Sequence, residues 1–157
     1  ISAKEEPLKF SNAIKIESGS ISRTISFGST FEAKTYGDSP FTVSATASIG
    51  IGDITYTSSN SAVCTVSSVS GEVSIVGTGS CEISAAIPAS GTYAPASSLV
   101  PVSVIVNKAS LTITASSASI AFSPRRYVVT AAYAGFVNGE DVGVLTTLPT
   151  CTVLIPG

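Results

Sequence analysis

The feature that most restricts the fold of this chain is an internal repeat. When the 157-residue sequence is shifted so that residue 25 falls on residue 111, similar residues follow one another in the same order. The matched stretches are residues 25–27 with 111–113, residues 41–45 with 127–131 and, after one inserted residue, residues 64–66 with 151–153. Self-similarity at a fixed spacing indicates a structural unit that is used more than once. We therefore predict an N-terminal extended strand or linker (residues 1–20), a complete unit (residues 21–107) and an incomplete second unit (residues 108–157).

Each unit is predicted to consist of short β-strands. Segments rich in Val, Ile and Thr alternate with turn segments rich in Gly, Ser, Asn and Pro roughly every ten residues. This spacing is typical of a β-sandwich or a β-barrel. No segment shows the sustained 3.6-residue apolar period of a long helix. The predicted fold class is all-β, with sandwich modules in tandem and a second module that is incomplete within the chain.

The composition argues against several classes of function. The chain contains no His, Met or Trp, only 11% of its residues are charged, and its net charge is −2. Without His there is no imidazole to act as a general base or a metal ligand. The weak charge offers no basic surface for nucleic acid, and no run of apolar residues is long enough to span a membrane. We predict no enzymatic activity, no metal or other cofactor, no nucleic-acid partner and no membrane insertion.

The three cysteines fit both the repeat and an oxidising location. The chain is rich in Ser and Thr and still 44% hydrophobic, which we interpret as a soluble β protein that is secreted or on the cell surface. In an exported protein, Cys64 and Cys81 are expected to form a disulfide around the strand predicted at residues 73–76. Cys151 is the second unit's equivalent of Cys64. Its partner is expected outside the chain, in another molecule or a further repeat; the alternative is a free, buried thiol.

Four segments resemble bacterial immunoglobulin-like tandem repeats, including MBG-type modules, of large secreted or surface adhesin-like proteins. Residues 34–41, K-T-Y-G-D-S-P-F, are similar to a K-T-Y-G-D-x-P-F segment that recurs in those repeats. Residues 56–66 and 77–81 resemble the segments that contain their paired cysteines, and residues 135–141, G-F-V-N-G-E-D, resemble their G-F-V-N-G-E turn. The second unit departs from the pattern, because residues 121–125 are A-F-S-P-R in place of K-T-Y-G-D.

The resemblance implies immunoglobulin-like β-sandwich modules with a structural function. On this interpretation the chain is a building block of a stalk, array or filament on a bacterial surface, and it associates with itself or with neighbouring repeats of the same protein. The resemblance implies no catalytic residues. The alternative is an adhesin module that binds a glycan or a host protein, which a cluster of exposed aromatic side chains at one loop end would favour.

The N-terminal segment contains the pattern of an amphipathic strand. Leu8, Phe10, Ile14 and Ile16 occupy even positions, and the odd positions among them are mostly polar or charged. A period of two residues is typical of a strand with one apolar face. It is either the last strand of a preceding repeat or an edge strand of the first unit, or it is a donor strand. A donor strand would complete the unfinished second unit of a neighbouring molecule, head to tail.

Overall fold

The computed structural model describes residues 19–28, 33–116 and 129–151. Almost all regular structure in these ranges is β-strand, so the predicted all-β class is confirmed. The strands of the first unit are β1 (Ile25–Phe27), β2 (Lys34–Thr35), β3 (Phe41–Thr42), β4 (Ala45–Ala47), β5 (Thr55–Ser58), β6 (Cys64–Val66), β7 (Glu72–Ile75), β8 (Gly79–Ile87), β9 (Ala96–Ser97) and β10 (Val102–Asn107). The second unit contributes β11 (Thr112–Ala115), β12 (Ala131–Ala134) and a 3-10 helix (Val142–Val144).

One layer of the first unit is a sheet in the order β2-β10-β8-β5. The long strand β8 lies at its centre, antiparallel to β5 on one side and to β9 and β10 on the other. Successive side chains of a strand point to opposite faces of its sheet. Accordingly Cys81, Ile83, Ala85 and Ile87 are buried on the inner face of β8, and the residues between them are exposed or half-buried.

Two smaller sheets, β3-β7-β6 and β1-β4, form the opposing layer. The sequence pattern predicts a single strand over residues 41–47, but the structure divides it into β3 and β4. At the break, the backbone N–H of Val43 donates to the carbonyl of Gly71 at 2.9 Å. Gly71 has φ 70°, and a Cβ there would lie 2.3 Å from the Val43 oxygen, so this approach requires glycine. The break lets the segment pair first with β7 and then with β1.

The inner faces of the two layers enclose one apolar core, and a disulfide joins them. Cys64 of β6 and Cys81 of β8 are bonded, with their Cα atoms 6.2 Å apart, and both are almost fully buried. Ile83, Val73 and Val104 surround them without solvent exposure. Since burying one Val or Ile side chain contributes about 1.5–3 kcal/mol, the packed layers supply most of the unit's stability.

A buried tyrosine packs in this core. Tyr56 of β5 is 8% exposed, and its ring centroid lies 6.3 Å from that of Phe27. Its hydroxyl oxygen accepts a hydrogen bond from the backbone N–H of Ala45 at 3.2 Å. The hydroxyl group therefore has a partner inside the sandwich, as a buried tyrosine requires.

Two parts of the predicted strand assignment differ from the structure. The predicted strand over residues 142–146 is wrong, because a 3-10 helix occupies Val142–Val144. Asp141 favours that helix by accepting a hydrogen bond from the backbone N–H of Gly143 at 2.7 Å. Strands β2 and β9 have no counterpart among the predicted strands, since two residues leave no period to detect.

Over its described residues, the second unit contains a single two-stranded sheet, whereas the first unit has two layers. Strands β11 and β12 pair antiparallel, with Ile113 opposite Tyr133, and they form a sheet of their own. All four residues of β11 are exposed, and Ile113 is 46% exposed. In residues 108–116 and 129–151 no side chain belongs to the buried core. A two-stranded sheet is marginally stable by itself, so this unit depends on contacts outside its own pair of strands.

Replacing both disulfide cysteines (C64A/C81A) should lower the free energy of unfolding by about 3 kcal/mol. The bond joins residues 17 apart and restricts the unfolded chain. Urea denaturation of the variant and the unaltered chain measures the difference. The exposed Cys151 provides the control, because C151A should leave the urea midpoint unchanged. Equal midpoints for C64A/C81A and C151A would contradict a stabilising role for the bridge.

Candidate functional site: the junction between the two units

The first unit has two ends, at opposite termini of β8. The chain enters the described unit at what we call the proximal end, where Ile21 lies beside Tyr93. It leaves at the distal end after Asn107, where β10 runs beside the start of β8. At about 3.3 Å per residue, the nine residues of β8 separate these ends by roughly 26 Å.

A tight corner of residues 35–38, the distal corner, lies at the distal end. Strand β2 runs parallel to the end of β10, and the backbone N–H of Tyr36 donates to the carbonyl of Asn107 at 2.8 Å. Asp38 closes the corner, because its carboxylate accepts from the N–H of Thr35 at 2.8 Å. Its own N–H donates to the carbonyl of Thr35 at 2.9 Å. The corner is thus fixed to the strand from which the chain continues into the second unit.

The second unit places a tight turn, the junction turn (residues 137–140), opposite this corner. Asn138 and Gly139 have φ values of 55° and 75°, and the N–H of Glu140 donates to the carbonyl of Val137 at 3.0 Å. Two successive positive φ values with this hydrogen bond define a type I′ turn, for which Asn-Gly is the favoured pair. The turn therefore presents Val137 and Glu140 side by side.

Both flanking residues of the junction turn contact the distal corner. The hydroxyl of Tyr36 donates to the Oε1 atom of Glu140 at 3.0 Å, in a partly buried position. Val137 packs directly on Gly37, where an added Cβ would lie 2.7 Å from the Val137 Cβ. Gly37 also has φ 98°. Glycine is therefore required at this position both by the backbone conformation and by the lack of space beside Val137. A hydrogen bond to a charged group and a close apolar contact together fix one orientation of the turn.

Within the second unit, the segment before β11 packs closely on the loop after β12. Gly135 has φ 111°, and a Cβ there would lie 2.2 Å from the carbonyl oxygen of Ser110. The contact continues the pairing of β11 with β12 by one step, since Thr112 lies opposite Ala134. The junction itself consists of the hydrogen bond between Tyr36 and Glu140 and the close contact between Gly37 and Val137. In the ranges that the structure describes, no group of three or more His, Cys, Asp or Glu side chains could bind a metal ion.

A buried arginine organises the proximal end. Arg23 is 6% exposed, and its guanidinium donates to the backbone carbonyls of Ala94 at 2.8 Å, Ile51 at 3.2 Å and Pro88. Its Cζ atom also lies 5.8 Å from the ring centroid of Tyr93. Three carbonyl dipoles and the ring face thereby compensate a buried positive charge. Arg23 thereby ties the loop between β4 and β5 to the loop between β8 and β9, where the chain enters the unit.

An apolar groove of about 1000 Å³ lies between β1 and β10. Leu99 and Val100, on its rim, are 86% and 76% exposed, and Ile105 is 52% exposed. β10 pairs with β8 along residues 102–106, whereas its other edge pairs with β2 only at Val106 and Asn107. Among the described residues, part of that edge has no strand beside it. Open strand edges next to apolar surface are places where another strand can pair.

The predicted site residues have different outcomes. Cys64 and Cys81 form the expected disulfide. Cys151 is a free cysteine and is exposed, so it is not the buried thiol that we weighed as the alternative; its pairing outside the chain stays a prediction. The four residues predicted for strand donation lie outside the described ranges: Leu8, Phe10, Ile14 and Ile16.

Sequence analysis missed the contact between Tyr36 and Glu140 and the role of Arg23. The K-T-Y-G-D-S-P-F and G-F-V-N-G-E-D segments both contain glycine. Their glycines indicate that each segment forms a turn. Nothing in the sequence indicated that the two segments meet. Arg23 gives no sequence signal, because a single arginine in a strand is ordinarily exposed.

Replacing Arg23 with Met should lower the free energy of unfolding by about 2–4 kcal/mol, since three carbonyls at the proximal end lose a charged donor. Urea denaturation measures the effect. The exposed Lys108 gives a matched control, because K108M removes the same charge and should change the stability little. If R23M and K108M were equally stable, the hydrogen bonds of Arg23 would not contribute to the free energy of unfolding.

The hydrogen bond between Tyr36 and Glu140 should appear as coupling in a double-mutant cycle. Y36F and E140A should each cost about 1 kcal/mol of unfolding free energy, and the double variant should cost less than their sum. Urea denaturation of the four proteins measures the coupling. In a second cycle, E82A replaces E140A; Glu82 is exposed on the outer face of β8, so that cycle should be additive. Additive effects of Y36F and E140A would argue against the contact.

The chain matches no protein-family model and no curated protein sequence. Over the described ranges, none of its helices has the length and apolar character needed to cross a membrane.

Proposed function

We propose that the chain is a non-enzymatic structural module of an extracellular bacterial surface protein, and that its units are building blocks of a stalk, array or filament. The observation behind this proposal is the junction, where Tyr36 and Gly37 of the first unit contact Glu140 and Val137 of the second. A chain that serves as a spacer needs defined contacts between successive units, because unrestrained domains reorient about their linkers.

The strand arrangement supports the immunoglobulin-like part of the proposal. Strands β1, β3/β4, β7 and β6 follow one another in one layer, and β5, β8 and β10 form the other. This order corresponds to the ABED and CFG sheets of a constant-type immunoglobulin sandwich. The unit differs from antibody domains in two respects. Its disulfide joins β6 to β8 rather than the second strand to β8, and Tyr56 occupies β5, where antibody domains have a buried Trp.

The disulfide also supports a location outside the cytoplasm. Structural disulfides form and persist in oxidising compartments and are rare in the reducing cytosol. Cys64 and Cys81 are buried in the core, where a stable bridge contributes to folding. Together with the hydroxyl-rich, charge-poor composition, the bridge favours a secreted or surface-exposed protein.

Head-to-tail assembly by strand complementation is the mode of association that we include in the proposal. In the described residues, β11 and β12 pair only with each other, so each has an edge open to a further strand. Ile113 on this sheet is 46% exposed. An incoming strand with one apolar face, such as that of Leu8, Phe10, Ile14 and Ile16, would satisfy both the edge and the exposed surface. The partner is then another copy of the chain or a neighbouring repeat.

The groove between β1 and β10 bears on the alternative of an adhesin. Its rim residues Leu99 and Val100 are aliphatic and highly exposed, which suits a protein segment better than a glycan. Glycan recognition would instead need aromatic and polar side chains that converge at one loop end. A surface ligand, if the module binds one, is therefore proposed to be a host protein.

Antibodies against the chain should label intact cells of the organism that produces it, without permeabilisation. A cytosolic protein serves as the control and should be labelled only in permeabilised cells. Labelling of the chain only after permeabilisation would overturn the surface function. The intact mass of the native polypeptide then distinguishes the modes of assembly: a mass far above 15.8 kDa indicates a tandem array, and a mass near it indicates self-assembly.

A further inference from the structure

The loop of residues 48–54, which we call the proximal loop, has the same place in the first unit as the junction turn's loop in the second. It follows β4, the strand that pairs antiparallel with β1, at the end where the chain enters the unit. Residues 135–141 follow β12, which pairs antiparallel with β11. Thus each loop follows the strand that pairs with the first strand of its unit: β4 pairs with β1, and β12 pairs with β11.

The proximal loop contains the two chemical groups that the junction turn uses. Ile51 is 82% exposed, and Asp53, two residues further on, is exposed as well. In the junction turn, the aliphatic Val137 and the carboxylate of Glu140 make the contacts with the distal corner. The proximal loop therefore displays an aliphatic side chain and a carboxylate close together, but with no corner against them in the described structure.

The backbone of the proximal loop is fixed by contacts with the rest of the unit. Arg23 donates to the carbonyl of Ile51 at 3.2 Å. The backbone N–H of Ser48 donates to the carbonyl of Thr24 at 2.9 Å, and a Cβ on Gly50 would lie 3.0 Å from the ring of Tyr93. A loop whose backbone is already fixed loses little conformational entropy when a partner covers it.

Resting on the proposed tandem function, we propose that the proximal loop is a docking surface for the distal corner of another unit of this kind. Ile51 packs on the corner's positive-φ glycine, and the carboxylate of Asp53 accepts from the corner's tyrosine hydroxyl. The geometry of the chain supports this direction. The second unit already places its loop on the distal corner of the unit before it, and the proximal loop faces away from that corner, at the other end of β8.

In the chain itself, the distal corner is already occupied by the junction turn. A second copy can therefore dock through its proximal loop only on a chain whose corner has been vacated. Contact between separate molecules is also weaker than contact within one chain, because the linker supplies a high effective concentration. The test accordingly uses a receptor with an emptied corner and a method that detects weak binding.

The receptor is the full-length, ¹⁵N-labelled chain with the substitutions V137S/E140A. These substitutions remove both side-chain contacts to the corner. Unlabelled full-length chain is added to about 2 mM, which detects dissociation constants near 1 mM. We expect amide shifts of residues 36–38 that grow with concentration. They should be lost with I51S as the added protein and retained with L148S, which alters another exposed aliphatic residue, at 57% exposure. The unaltered labelled chain should show no such shifts.

Absence of shifts at the vacated corner would overturn the proposal, as would equal shifts with I51S and L148S. If V137S/E140A loses the dispersed spectrum of the second unit, the milder receptor V137A/E140Q replaces it and the same outcomes decide. The surface-labelling experiment addresses where the protein functions, whereas this titration addresses only the docking surface. Failure of one is therefore distinguishable from failure of the other.

Discussion

The packing of β8 against β6 and β7 across the apolar core is the interaction on which the other features depend. The inner face of β8 buries four residues, and its Cys81 is bonded to Cys64 in the opposing layer. Once β8 is fixed, β10 pairs along it, β2 pairs with the end of β10, and the distal corner follows β2. The position of Tyr36 at the junction is therefore a consequence of core packing more than 20 residues of sequence away from it.

The junction links this packing to the assembly function that we propose. A hydrogen bond from Tyr36 to Glu140 and the close contact of Gly37 with Val137 define one orientation between successive units. Such contacts are small, and between separate molecules they would be weak. Within one chain the short linker makes them effective. Repetition of one small contact would be enough to order a series of modules, and in our proposal the exposed Ile51 makes the corresponding contact with another unit.

The sequence predicted the parts of the fold that depend on periodicity and on cysteine spacing. Most of β8 was predicted from the turn segments that recur about every ten residues, and the Cys64–Cys81 pair from its position on either side of the predicted strand at residues 73–76 in an exported protein. The short strands β2 and β9 escaped prediction because their pairing is decided by β10 and β8, far along the chain. The junction escaped for the same reason: Tyr36 and Glu140 are 104 residues apart, and neither has a local signal for the other.

Residual dipolar couplings of the full chain test the central claim, which is that the junction fixes the second unit on the first. Couplings of the amides in β8 and β10 report the orientation of the first unit, and those in β11 and β12 report the second. The account predicts that one alignment tensor fits both sets, and that V137S/E140A separates them into two. Two independent tensors in the unaltered chain would contradict the account, because the units would then reorient freely about the linker.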